Sequence, residues 1–193
     1  VRRKGFGHVD GCPALDVYGS PDLIPSFIKC VDELQKNTPE DDSSRVNLHV
    51  VRPFEPFFAE GYEITPLKAY HGTDNPYIYI IEKDGKSLLY AHDTDVFPGE
   101  TWEYISEKKK KFDLVSLDCT EGNKHISYHG HMCIERNDET KERLISMGAA
   151  DEKTVFVINH FSHNGKDCLY DDMTAVAASH GFAVSYDGLE IEI

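Results

Sequence analysis

The sequence lacks most of what a membrane protein, a nucleic-acid binder or a disulfide-stapled domain needs. Among its 193 residues, no apolar run approaches the ~20 that a membrane-spanning helix requires. Basic side chains are outnumbered, 20 Lys+Arg against 34 Asp+Glu, for a net charge of −14. A field of that sign repels a polyphosphate backbone, which excludes long nucleic acid as a partner unless metal ions intervene. The one basic run, Lys108 to Lys111, reads as a solvated helix end. Cysteine is scarce and odd in number (Cys12, Cys30, Cys119, Cys133, Cys168), with no C-x-x-C pair. That usage excludes a disulfide framework and points to small buried thiols in a reducing, cytoplasmic compartment. There is no internal repeat and no low-complexity segment. The opening Val1-Arg2-Arg3-Lys4-Gly5 has neither an initiator Met nor a following apolar stretch, so it reads as the middle of a loop and not as a signal peptide.

What is present is a folding composition. Hydrophobic residues make up 40% and charged residues 28%, enough for a single core at this length. We read residues 1–193 as one domain, because the most linker-like stretch, Asn37 to Ser44, is too short to separate two.

Apolar and polar periods alternate along the chain. Strands are expected at Ala14 to Tyr18, Arg45 to Val51, Tyr62 to Tyr70, Tyr77 to Glu82, Lys86 to Ala91, Phe112 to Leu117, Thr154 to Ile158, Ala183 to Tyr186 and Leu189 to Ile193. Asp84-Gly85 marks a hairpin turn, and Pro66 within its strand suits an edge or a bulge. Helices are expected after the Ser20-Pro21 start signal, at Glu100 to Lys110, at Glu135 to Met147 before Gly148, and at Asp171 to His180 before Gly181. The result is an α/β layered domain with a large antiparallel component.

The functional signal lies in how the strands end. L-K-A-Y runs into His71, L-L-Y-A into His92-Asp93-Thr94-Asp95, L-V-S-L into Asp118, and V-F-V-I-N into His160. An α/β scaffold converges such strand-end side chains on one cavity. Imidazole and carboxylate together suit a divalent metal. His129-Gly130-His131 and His160-Phe161-Ser162-His163 add further imidazoles on loops.

In this order the segments I-T-P-L-K-A-Y-H (Ile64 to His71), L-L-Y-A-H-D-T (Leu88 to Thr94), V-S-L-D-C-T (Val115 to Thr120), G-H-M (Gly130 to Met132), I-N-H-F-S-H (Ile158 to His163) and S-Y-D-G-L-E-I (Ser185 to Ile191) resemble the metallo-β-lactamase superfamily. They are most similar to its phosphoribosyl cyclic phosphate phosphodiesterase branch. The resemblance implies an αββα sandwich and a metal-dependent hydrolase, with two Mn²⁺ or Zn²⁺ ions sharing a hydroxide that attacks a small cyclic or nucleotide-like phosphodiester. By position it implies His71 and His160 as metal ligands, Asp93 as the carboxylate bridging both metals, and His131 as the group that contacts the phosphate and protonates the leaving alkoxide. His163 matches a position that helps to hold a separate structural zinc with N-terminal cysteines. Asp118 has no firm role in the family, and we read it as orienting a ligand imidazole. His92 stands where the family has Ser.

The signature loop H-x-H-x-D-H occurs nowhere in these 193 residues, and neither does the cysteine cluster. The expectation is therefore of a sandwich incomplete at its N-terminus, with too few protein ligands for two ions. An uncovered apolar sheet face would then favour a homodimer. Two other readings remain open at this stage: a lactone or thioester hydrolase on the same scaffold, and a truncated, non-catalytic metal-binding or assembly module.

Overall fold

The computed structural model describes residues 15–23, 25–29 and 46–193. Cys12, Cys30, the Asn37 to Ser44 loop and the part of the helix expected after Ser20 that lies beyond Lys29 fall outside these residues, while residues 23 and 25–29 are helical. The chain divides into two compact units, Val1–Arg52 and Pro53–Ile193. In the first, β1 (Leu15–Gly19) pairs in parallel with β2 (Val46–Val50). His49 bonds Asp16 at 2.7 Å and stacks on Tyr18.

The second unit is a seven-stranded mixed sheet. Its strands are β3 (Phe57–Ala59), β4 (Tyr62–Lys68), β5 (Tyr77–Lys83), β6 (Lys86–Ala91), β7 (Leu114–Asp118), β8 (Val155–Asn159) and β9 (Ala183–Val184), side by side in chain order. Pairing is antiparallel from β3 to β6 and parallel from β6 to β9. The β5–β6 hairpin turns on Asp84 and Gly85, both left-handed (φ 51° and 81°), the backbone of a type I′ turn. Pro66 is tolerated because β3 is only three residues long and ends its pairing at Ile64, so β4 is an edge strand where the proline stands. β3 was not expected; its signal is Glu60-Gly61, a second left-handed pair (φ 50° and 80°). Leu189 to Ile193, expected as a strand, is irregular. The chain turns at Tyr186, whose carbonyl accepts from Leu189 N–H, and β9 has only two residues to offer as a template.

Each parallel step crosses over through a helix: α1 (Gly99–Lys108), α2 (Ile134–Ser146) and α3 (Tyr170–His180). Gly148 (φ 76°) and Gly181 (φ 68°) end the last two in the left-handed conformation. The alternation of β5, β6 and β7 sends Ile80, Leu89 and Val115 into one fully buried layer. That layer packs with Trp102 of α1, Leu144 of α2 and Met173 of α3. Fully burying such side chains stabilises by about 1.5–3 kcal/mol each. The other face is also apolar, with Ile64, Ile81, Leu88 and Leu114 in one row across four strands, the patterning of a sheet built for a layer on each side. Cys119 and Cys133 are buried and Cys168 is half-buried, all three as free thiols. Burial pushes the Cys119 thiol far above its ordinary range. Among the described residues, no helix is long and apolar enough to cross a membrane.

β4, β6, β7 and β8 run in the same direction, two antiparallel steps separating β4 from β6. Their C-terminal ends therefore share one edge of the sheet, and the polar residues that follow them meet there.

Candidate metal centre

Beyond Lys68 the chain reaches His71, beyond Ala91 it reaches Asp93, β7 ends on Asp118, and His160 follows Asn159. Asp93, Asp118, His131 and His160 each place a ligating atom so that all four lie within 4.8 Å of one another. His160 Nε2 is 3.4 Å and His71 Nε2 3.8 Å from the same Asp93 Oδ1. Ligand atoms bound at about 2.1 Å in a tetrahedral sphere lie about 3.4 Å apart. Each of these two spacings to Asp93 thus suits atoms that share one divalent ion, although His71 stands outside the four-residue group.

The backbone at this edge is held in an uncommon form. Asp93 (φ 52°) and His160 (φ 63°) are both left-handed without being glycine, the sort of local strain that folds retain where a side chain must be aimed. Neighbouring bonds hold them so. Thr94 Oγ1 accepts from Tyr70 N–H at 3.0 Å, and Asp95 N–H donates to Tyr70 C=O at 2.8 Å, which fastens the Asp93 loop to the end of β4. His160 N–H is taken by Asn159 Oδ1 at 2.6 Å.

Each imidazole is also oriented by its far nitrogen. His71 Nδ1–H donates to the Gly130 carbonyl at 2.9 Å, leaving the Nε2 lone pair towards Asp93. Asp118 is fully buried. Its Oδ1 accepts from the Thr120 and Met132 backbone N–H groups (2.9 and 3.1 Å), and its Oδ2 faces His131 Nδ1 at 2.9 Å. Asp118 Oδ2 also stands 3.5 Å from His160 Nδ1, so this carboxylate faces two imidazoles of the four-residue group to which it belongs. Thr120 completes the support. Its hydroxyl donates to the His160 carbonyl at 2.9 Å and accepts from His160 Nδ1–H at 2.8 Å. This hub was not foreseen, since a threonine carries no sequence signal of such a role.

The H-G-H loop divides its two imidazoles. His131 turns to Asp118, with its ring centroid 4.8 Å from that of His71. His129 turns the other way, donating from Nδ1 to Asp95 Oδ2 at 2.6 Å. Asp95 is buried, and its Oδ1 accepts from Arg136 Nη1 at 2.6 Å and from Val96 N–H at 2.7 Å. Arg136 Nη1 also reaches the His131 carbonyl at 3.3 Å. This clamp, likewise not foreseen, ties the Asp93 loop to the His131 loop. His92 stays apart from Asp93: its Nε2 and Ser116 Oγ are hydrogen-bonded at 2.7 Å, and its ring packs on Tyr90. Burial, then the neighbouring His160, pulls its pKa down to about 4. His163 is exposed and joins no group of three metal-ligating side chains among the described residues.

The chain matches known proteins in sequence and in fold. Residues 8–160 fit the model of the beta-lactamase superfamily domain, and the chain belongs to that family. Among solved structures it is similar to the metallo-beta-lactamase fold protein YhfI from Bacillus subtilis: 19% identity, TM-score 0.64, 94% of this chain and 66% of that one. A diphosphatase from the PhnP family is similar at 18% identity and TM-score 0.65, over 91% of this chain and 57% of that one. Zn²⁺-bound PqqB from Methylobacterium extorquens is similar at 14% identity and TM-score 0.59, over 95% and 66%. The chain therefore spans between 57% and 66% of the length of these proteins. Its fold is the metallo-beta-lactamase fold. A comparison with curated proteins finds no match.

Proposed function

We propose that the chain carries one side of the active centre of a metal-dependent hydrolase, and that its substrate is a small phosphodiester. The observation that carries this reading is the convergence of His71 Nε2 and His160 Nε2 on Asp93 Oδ1, at 3.8 and 3.4 Å, from three separate strand ends. In this reading His71, Asp93 and His160 would hold Mn²⁺ or Zn²⁺. A divalent cation supplies Lewis acidity towards a phosphoryl oxygen and lowers the pKa of water. It also reverses the local sign of an acidic protein, so that an anionic ester can approach.

The chain's own residues account for the rest. Asp118 accepts from His131 Nδ1–H and fixes the tautomer, so that Nε2 faces the centre. Once protonated, that nitrogen can deliver its proton to the departing alkoxide. Thr120 keeps the His160 ring from rotating by engaging Nδ1. The shared fold of a PhnP-family diphosphatase and of zinc-bound PqqB supports the substrate class and the metal.

The test is hydrolysis of bis(p-nitrophenyl) phosphate with Mn²⁺ or Zn²⁺, by the wild-type chain and by His131→Ala. The expected result is turnover that His131→Ala loses while its metal content stays the same. Equal turnover in the two proteins would remove His131 from the chemistry, and a wild type that binds metal without turnover favours a binding module.

A further inference from the structure

A cleft of about 760 Å³ lies beside the metal centre and plays no part in the reading above. Its volume is within the range of small-molecule sites. Three of its wall residues, Tyr70, Asp95 and His129, stand on the same three segments that supply His71, Asp93 and His131. None of His71, Asp93, His131 and His160 lines the cleft itself, but the Asp95–His129 bond and the His71–Gly130 bond tie its loops to theirs. A substrate whose reacting group sits at the centre would extend its remaining part into this cleft.

The lining defines what that part is. Tyr70 and His129 meet edge to face with ring centroids 5.2 Å apart, and both rings are substantially exposed. Stacking surface of this kind takes a flat ring. Glu135 and Glu139 sit four residues apart on α2, on one face of the helix, where like charges repel each other. His125, which also lines the cleft, engages Glu135 Oε2 through Nδ1 at 2.7 Å. The only guanidinium in the cleft, Arg136, is committed to Asp95. With Asp95 and Glu135 so engaged, the acceptor the walls still offer is the Glu139 carboxylate, and three carboxylates face one guanidinium, which disfavours a second phosphate and favours a group with N–H and O–H donors.

We propose that this cleft receives a nucleoside portion of the substrate, with a base that carries an exocyclic amine. The proposal rests on the phosphodiesterase reading and narrows it, away from phosphorylated sugars. Tyr70 and His129 contact the base, while Glu139 accepts from its amine or from a ribose hydroxyl.

The test is calorimetric titration of the chelator-treated full chain with adenosine and, separately, with ribose 5-phosphate. Adenosine is expected to bind saturably, about tenfold more weakly to Tyr70→Ala and unchanged to Tyr70→Phe. Ribose 5-phosphate is expected to bind only when Glu139→Lys removes the repulsion. Circular dichroism of each variant confirms that it is folded, as the exposure of both side chains leads one to expect. Absence of adenosine binding to the wild type, equal binding to Tyr70→Ala, or wild-type binding of ribose 5-phosphate as strong as that of adenosine would each overturn the proposal. A parallel Zn²⁺ titration separates the two readings. Adenosine binding without Zn²⁺ binding sinks the hydrolase and leaves a nucleoside site that is no part of a substrate pocket, whereas Zn²⁺ binding without adenosine binding sinks the cleft alone.

Discussion

His160 Nε2 stands 3.4 Å from Asp93 Oδ1, and both residues hold this position on left-handed backbone. That conformation suits glycine better than either of them. If the strain serves the centre, then relieving it is neutral or favourable for folding. Asp93→Gly is expected to leave the chelator-treated chain as stable as wild type, or more stable by up to about 1 kcal/mol. Urea denaturation checks this. A loss of more than about 2 kcal/mol would mean that Asp93 is held for structure.

The Asp118–His131 pair gives a second prediction. Asp118→Asn would turn an amide N–H₂ or a weaker acceptor towards donors that a carboxylate satisfies. The expected cost is about 1–3 kcal/mol of stability, with metal affinity or turnover lower by about 10–100-fold. A purely structural Asp118 would move stability alone. The ¹⁵N shifts of the His131 ring distinguish the two, because only a lost orienting bond changes the tautomer.

Arg136 and Asp95 give a third. Asp95 is buried, with Arg136 as its cationic partner. Arg136→Met leaves that carboxylate without its counter-charge, at an expected cost of about 3–5 kcal/mol. Adding Asp95→Asn to Arg136→Met should recover part of the loss. Thermal unfolding of the two single variants and the double variant measures the coupling, and strict additivity would contradict the clamp.

His92 supplies the pH dependence. Its pKa falls from the ordinary 6.5 to about 4 in the fold, through burial first and the neighbouring His160 second. Between these values the unfolded chain binds the proton and the folded chain does not, so acidification favours unfolding. The contribution is fully present above pH 6.5 and is lost as pH falls through about 4. His92→Gln, whose amide can still bond Ser116, should flatten the stability curve in that interval when the chelator-treated chain is denatured with urea. An unchanged slope would assign the acid sensitivity to other groups.

The strand ends were legible in the sequence because an apolar run that stops on a histidine or an aspartate is visible without knowing how the strands pair. His71, Asp93, Asp118 and His160 were found that way. The hairpin at Asp84-Gly85 was legible too, since those residues favour the backbone the turn requires. What the sequence did not carry is long-range direction. Nothing in His129-Gly130-His131 says which ring turns to Asp118 and which to Asp95. Thr120 and Arg136 act through partners on distant segments, so their roles appear only once the sheet is assembled. The failed strand at Leu189 to Ile193 has a related cause: its alternating pattern is strand-like, but β9 is too short to pair with it.

The central claim is that His71, Asp93 and His160 bind a divalent ion, and calorimetric titration of the 193-residue chain with Zn²⁺ and with Mn²⁺ tests it most directly. The account expects saturable binding by the wild type that His71→Ala and His160→Ala both lose while remaining folded by circular dichroism. No binding by the wild type, or equal binding by all three proteins, would contradict it.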